Sequence, residues 1–244
     1  MTVRTGLRSR VIGALDRLGD RVPRFGALLD RQRPHTFLHW TDGLNGQRER
    51  RRLVAEVLRT TGVTAFVETG TNRGATAAHI RRRFDLPVWT VELMPRYYEL
   101  CRWRFRGDPN VHLHLGDSRS FLRAMASQLR GERCCFYLDA HWYDDLPLAD
   151  ELRIIAGAWD EWVVIVDDFK VEGDPKYYYD DYGPGRALEY SYLPLDEIGP
   201  CAAYFPRAAG MEESFPWRGC IVLGRGEAVV RALETCGTLR RATE

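Results

Sequence analysis

Two apolar runs in this chain end in acids. Cys134-Cys135-Phe136-Tyr137-Leu138 runs into Asp139, and Trp162-Val163-Val164-Ile165-Val166 runs into Asp167-Asp168, 28 positions after Asp139. Short apolar runs of this kind are buried strands. If the two strands are parallel neighbours, they bring three carboxylates to one edge of a sheet. That edge is where open α/β folds bind ligands. Carboxylates so close repel one another unless protons or a cation compensate them. Oxygen donors suit Mg²⁺ or Ca²⁺ better than zinc. His141 stands two positions after Asp139, at the same edge.

A second constellation lies upstream. Ala65-Phe66-Val67 leads into Glu68-Thr69-Gly70-Thr71-Asn72-Arg73-Gly74, and a helical stretch opens at Ala75. Glycines between a strand and a helix permit a tight turn and close approach of backbone to a ligand. The pattern is not Gly-x-Gly-x-x-Gly, and Gly-Lys-Ser/Thr is absent, so neither a dinucleotide fingerprint nor a phosphate loop is present. Pro87-Val88-Trp89-Thr90-Val91 ends in Glu92, which is placed to accept hydrogen bonds from both hydroxyls of a ribose. That role fits NAD and S-adenosylmethionine equally. Val111–Leu115 runs into Gly116-Asp117-Ser118, where the acid can accept from an adenine amino group.

The ordered set Glu68, Gly70, Gly74, Glu92, Asp117 and Asp139 resembles the class I S-adenosylmethionine-dependent methyltransferases over residues 60–225. Asp139 with Asp167-Asp168 narrows this to a resemblance to the metal-dependent O-methyltransferases of the macrocin type, which act on sugars of natural products. The resemblance implies a Rossmann-like α/β fold, a mostly parallel seven-stranded sheet ending in an antiparallel edge hairpin. It implies S-adenosylmethionine and Mg²⁺ as cofactors. Glu68, Gly70, Thr71, Asn72, Gly74, Glu92, Asp117, Ser118 and Asp139 would contact the cofactor. Asp139, Asp167 and Asp168 would hold the metal, and His141 would be the general base. The glycine turn departs from the family pattern in carrying Asn72-Arg73 where a central glycine is usual. Asp144 and Asp145 are alternatives for the base, Asp145 being also a candidate helix cap. The implied reaction moves a methyl group to a hydroxyl of a sugar, glycoside or catechol-like diol, a step of natural-product biosynthesis. Three other functions remain open: a metal-independent methyltransferase using His141, an NAD-dependent oxidoreductase and an inactive cofactor-binding scaffold.

The elements that must position these residues follow from the alternation of apolar patterns. Strands are predicted at 64–68, 87–92, 111–115, 133–139 and 162–167, and helices at 48–61, 75–84, 95–106, 118–129 and 147–158. That rhythm specifies right-handed parallel crossovers. A final pair at 201–205 and 219–224 predicts the hairpin. Residues 176–185 hold Tyr177, Tyr178, Tyr179 and Tyr182 among glycines, a proline and acids. Tyrosine offers a broad ring and a hydroxyl, so this segment is the expected substrate-binding loop, closing over its ligand.

The 244 residues suit one methyltransferase-sized domain at 48–244, preceded by an arm and linker at 1–47. Residues 1–60 carry a net charge of +7 and the remainder −6. Leu7, Val11, Leu15, Leu18 and Val22 fall at helical spacing among arginines, which predicts a basic amphipathic helix interrupted by Gly6, Gly13 and Gly19. Such a stripe packs on its own domain, on a second subunit in a homo-oligomer, or on an anionic membrane. Only Lys170 and Lys176 are lysines, the other 33 basic residues being arginine. No nucleic-acid-binding module is visible. The six cysteines form no Cys-x-x-Cys pair. With no apolar span and no signal core, the expected compartment is the cytoplasm.

Overall fold

Strand and helix alternate from residue 65 onward as the apolar pattern requires. The computed structural model describes residues 13–32, 43–141 and 145–242. β1 (Ala65–Thr69), β2 (Val88–Glu92), β3 (Val111–Leu115), β4 (Cys134–Leu138) and β5 (Trp162–Asp167) are parallel. β6 (Ala202–Pro206) and β7 (Cys220–Arg225) form the antiparallel hairpin, with β7 against β5. The order across the sheet is β3-β2-β1-β4-β5-β7-β6-β8. β8 (Leu239–Arg241) is additional to the seven expected strands and pairs antiparallel with β6.

Parallel crossovers put helices on both faces, so the central strands are apolar on both sides. Val163 and Ile165 face Leu53 and Val57 of α2 (Arg48–Thr61), together with Ala77 and Ile80 of α3 (Ala75–Phe84). Val164 and Val166 face Phe121 and Met125 of α5 (Ser118–Gln128), and Leu152 and Ile155 of α6 (Leu148–Ala158). Burying each such side chain contributes about 1.5–3 kcal/mol. This parity has a consequence for the acids. Asp167, one step beyond Val166, shares the face of Val163 and Ile165, and Asp168 must leave on the other.

The amino-terminal segment docks on the domain with part of its apolar stripe left exposed. Residues 13–21 are helical, and α1 (Pro23–Gln32) follows. Leu18 and Val22 of the apolar stripe stay 47% exposed; Leu7 and Val11 lie outside the described residues. Glycines and acids carry much of the contact. A Cβ on Gly26 would lie 2.5 Å from the Gly19 carbonyl and 2.9 Å from the Arg96 side chain. Arg96, on α4 (Pro95–Arg104), reaches past them to Asp16, Asp20 and Asp30 at 3.2, 2.9 and 2.7 Å. The glycines that weaken these helices by propensity are what let the arginine in. Leu44 and Gln47 of the expected linker are buried; His35, His39 and Trp40 lie outside the described residues. Among the described residues, no helix is long and apolar enough to cross a membrane.

Candidate active site

The tips of β4 and β5 bring Asp139, His141 and Asp168 together, each offering a donor atom within 4.8 Å of the others. His141 is 2% exposed, and its Nε2 has no hydrogen-bond partner among the described residues. That nitrogen lies 3.8 Å from Asp139 Oδ1, 3.9 Å from Asp168 Oδ2 and 3.9 Å from Asp180 Oδ2. Burial disfavours the imidazolium, but Asp168, Asp180 and Asp167 outweigh it and raise the His141 pKa above its ordinary value. Burial, followed by the charges of Asp167, Asp168 and Glu68, holds the Asp139 carboxyl well above the usual carboxylate range, against the pull of Arg50. Asp168 has φ +52°, a left-handed turn that aspartate tolerates better than most residues. Strain of this kind is stored where the surrounding structure enforces it.

Asp167 is not in this cluster. Its carboxylate accepts from Arg50 Nη1, from Tyr137 Oη at 2.5 Å, from Asn45 Nδ2 at 3.2 Å and from the Asp168 amide at 2.8 Å. Both the Arg50 and Asp167 side chains are 1% exposed. Burial opposes the Asp167 charge, but Arg50 and Tyr137 hold its pKa below the ordinary value. The cause is strand parity: adjacent residues point to opposite faces, and Asp167 points toward α2. Asp168 is also engaged, by Arg218 Nε at 2.8 Å and Nη2 at 2.9 Å.

The glycine turn lies beside the same edge. Gly70 has φ +91°, and a Cβ there would strike the Asp139 carbonyl oxygen. Glycine at this position lets the β1 tip approach the β4 tip. Gly74 has φ +70°, and a Cβ there would meet the Phe105 ring at 2.7 Å. Glu68 is buried and accepts from Thr90 Oγ1 at 2.6 Å. Burial, reinforced by Glu92 and opposed by Thr90 and Arg104, pushes its pKa up to about 8. Glu92 accepts from the Asn72 amide at 2.6 Å and the Met94 amide at 2.7 Å, one on each oxygen. Each oxygen keeps a further acceptor site. Burial raises the Glu92 pKa to about 7 against those bonds. Thr71 shares a 2.6 Å hydroxyl contact with Thr90. The turn is tied to the amino-terminal segment as well, through Arg73 and Asp30 at 3.3 Å. Asp117 is committed to the start of α5, accepting from the Arg119 and Ser120 amides at 3.1 Å each and from the Arg119 guanidinium at 2.7 Å. Ser118 beside it is buried.

The tyrosine segment divides. Tyr177 is buried, its hydroxyl donating to the Ala208 carbonyl at 3.0 Å, so it does not face the cluster. Tyr178 is 57% exposed and stands edge-on to Trp217. Tyr179 packs under Lys170. Tyr182 reaches the cluster: its hydroxyl meets the His141 carbonyl and lies 2.9 Å from Asp180 Oδ2. The segment is bonded back onto its surroundings by Asp180 N to Asp168 O at 2.9 Å and Tyr178 N to Trp217 O at 2.8 Å. Asp145 pairs with Arg119 at 2.6 Å and does not cap α6; Asp144 lies outside the described residues. Sequence reasoning missed Arg50, Asp180 and Arg218. Arg50 is hidden in a run of charges, Asp180 stands among tyrosines, and Arg218 carries no local signal.

The strand order 3-2-1-4-5-7-6 with β7 reversed settles the architecture. The fold is that of the Rossmann-like methyltransferases. Among solved structures, cofactor-bound Rv0187 from MTB aligns with a TM-score of 0.51 at 17% identity, covering 72% of this chain and 79% of that one. An O-methyltransferase from Bacillus cereus in complex with SAH gives 0.49 at 15% identity, covering 72% and 80%. CalS10, an amino pentose methyltransferase from Micromonospora echinaspora, gives 0.48 at 16% identity, covering 73% and 92%. The alignment with EvdMO1 spans 41% of that longer chain. No family model matches the chain. No curated protein matches it.

Proposed function

We propose that this methyltransferase fold carries an O-methyltransferase, using S-adenosylmethionine to methylate a hydroxyl of a sugar or other natural-product diol. One observation supports this reading above the rest. An orphaned, buried His141 Nε2 lies within 3.9 Å of carboxylates from two strand tips, and the glycine turn touches the same edge through Asp139.

The residues at the turn fit the cofactor. Gly70 leaves a cradle that a Cβ would fill, and Glu92 keeps acceptor sites for the ribose hydroxyls. When bound, S-adenosylmethionine supplies a methyl group already activated on a sulfonium. Glu68 and Asp139 would face its cationic end. His141 would accept the hydroxyl proton at Nε2, and the adjoining carboxylates strengthen it as a base. Tyr182, against the His141 carbonyl, fixes the ring's backbone. Holding acceptor and donor in line also contributes to catalysis, since an oriented pair reacts far faster than a free one.

The oxygen donors and the orphaned nitrogen also fit a divalent cation. Asp139 and Asp168 would hold Mg²⁺, which when bound lowers the pKa of a coordinated hydroxyl. Asp167, retained by Arg50, would support that site from behind. A metal-independent reaction through His141 is the second reading, favoured by the guanidinium already seated on Asp168.

Calorimetric titration with S-adenosylhomocysteine tests the cofactor, and labelled methyl transfer to free sugars, a glycoside and a catechol tests the acceptor. Absence of S-adenosylhomocysteine binding would sink the function. Full transfer in excess chelator would select the metal-independent reading.

A further inference from the structure

Arg218 is built into the acidic cluster from the opposite side. It stands two positions before β7, and its main chain is anchored in the interior. Its carbonyl accepts from Gln47 Nε2 at 2.9 Å and from Arg50 Nη2 at 2.8 Å. The next residue, Gly219, accepts from Arg50 at 2.7 Å and has no room for a Cβ beside the Phe169 carbonyl. The stem therefore leaves a fixed root. The guanidinium bonds Asp168 through Nε and Nη2 at 2.8 and 2.9 Å, engaging both oxygens, and the same Nη2 meets Asp180.

These are the groups that face His141. Asp168 Oδ2, bonded to Arg218, is the oxygen 3.9 Å from His141 Nε2. Asp180 uses one oxygen for Arg218 and turns the other toward the same nitrogen. A divalent cation drawing on Asp168 must either displace the guanidinium or share the carboxylate with it. Sharing sets two positive charges close together across one carboxylate, where repulsion is strong. Displacement breaks a bidentate charge-assisted pair, the strongest common class of side-chain hydrogen bond.

We propose that Arg218 is an internal cation that competes with a divalent metal for Asp168 and Asp180, so that metal loading is weak and coupled to the tyrosine-bearing segment through Asp180. The proposal rests on the reading that Asp139 and Asp168 hold a metal. It assigns Arg218 a positioning role: in the guanidinium-bound state Asp168 is held in its left-handed turn with its charge balanced, with no metal required.

The test uses the full chain and Mn²⁺ alone, followed by the electron paramagnetic resonance of the free ion, with S-adenosylhomocysteine titrated separately. Arg218→Gln removes the charge and the fork; Arg218→Lys keeps a charge but cannot bond both oxygens of one carboxylate as a fork. Losing two charge-assisted bonds is expected to tighten Mn²⁺ binding about tenfold or more in Arg218→Gln, with Arg218→Lys between it and the wild type. Equal or weaker Mn²⁺ binding in Arg218→Gln would overturn the proposal and leave Arg218 a structural tie. So would failure of wild type and variant alike to bind at millimolar Mn²⁺. If Arg218→Gln does not fold, Arg218→Lys decides, and binding no tighter than wild type would overturn the idea. Loss of S-adenosylhomocysteine binding by the wild-type chain would instead defeat the methyltransferase reading, whatever the metal does.

Discussion

Replacing Asp167 with asparagine separates two roles that the Asp167-Asp168 pair leaves confounded. If Asp167 is a metal ligand, the neutral amide weakens metal binding and leaves the apo fold intact. The buried ion pair with Arg50 leads to the opposite expectation. Both side chains are 1% exposed, and the carboxylate also accepts from Tyr137, Asn45 and the Asp168 amide. Asparagine keeps one acceptor oxygen but leaves the Arg50 charge without its counterion. Breaking a buried pair from one side costs about 3–5 kcal/mol, and the retained oxygen argues for the lower end, about 3 kcal/mol. For a chain of this size that lowers Tm by roughly 6–12 °C. Urea unfolding or calorimetry of the metal-free protein measures it. The pH dependence supplies a second check. Arg50 and Tyr137 depress the Asp167 pKa against burial, so its stabilisation is fully present above the unfolded value of about 3.9. It is lost as pH falls through the lower folded value. The gap between wild type and Asp167→Asn should therefore be constant near neutrality and close in strong acid. A variant that melts within about 2 °C of wild type but no longer binds Mn²⁺ would refute the structural assignment and restore Asp167 as a ligand.

Three further outcomes are expected. Glu92→Ala leaves the Asn72 and Met94 amides without their acceptor and should weaken S-adenosylhomocysteine by about 1–3 kcal/mol, read by calorimetry; unchanged affinity would exclude Glu92 as the ribose anchor. Glu68→Gln removes a charge whose burial raises the pKa to about 8 from 4.5. Wild-type stability should then fall as pH rises between those values while the variant's does not, so a melting advantage for Gln that fails to grow from pH 5 to pH 8 would contradict the burial argument. His141→Gln and His141→Ala should each lose about 10²–10⁴-fold in turnover while still binding cofactor. Because the neighbouring acids raise the His141 pKa, the wild-type rate should climb above pH 6.5, and near-normal turnover in Gln would make His141 a positioning group.

Local pattern and tertiary packing determined different parts of this protein. The sequence alone located β1 to β7 and the helices between β1 and β5, within one or two residues at most ends. Apolar runs closed by acids and glycines are local signals, and burial of both sheet faces makes them continuous. It also placed Gly70, Glu92, Asp139 and His141 at one edge, because parallel strands align their carboxyl ends. What it missed depends on which way a side chain turns and what it meets there. Asp167 and Asp168 look equivalent as a pair, yet strand parity sends one to Arg50 and the other to Arg218. Those arginines lie 117 and 50 residues away from their partners, so nothing near either acid announces them. The tyrosine segment stands out in the sequence for its rings, yet its acid, Asp180, approaches His141 together with Tyr182, while Tyr177 is buried in the core. In the amino-terminal arm the apolar spacing marks Leu18 and Val22, which stay exposed, and the contact with the domain lies elsewhere. That contact is built around Arg96, a buried cation that meets Asp16, Asp20 and Asp30 across two close-packed glycines, with Arg73 also bonding Asp30.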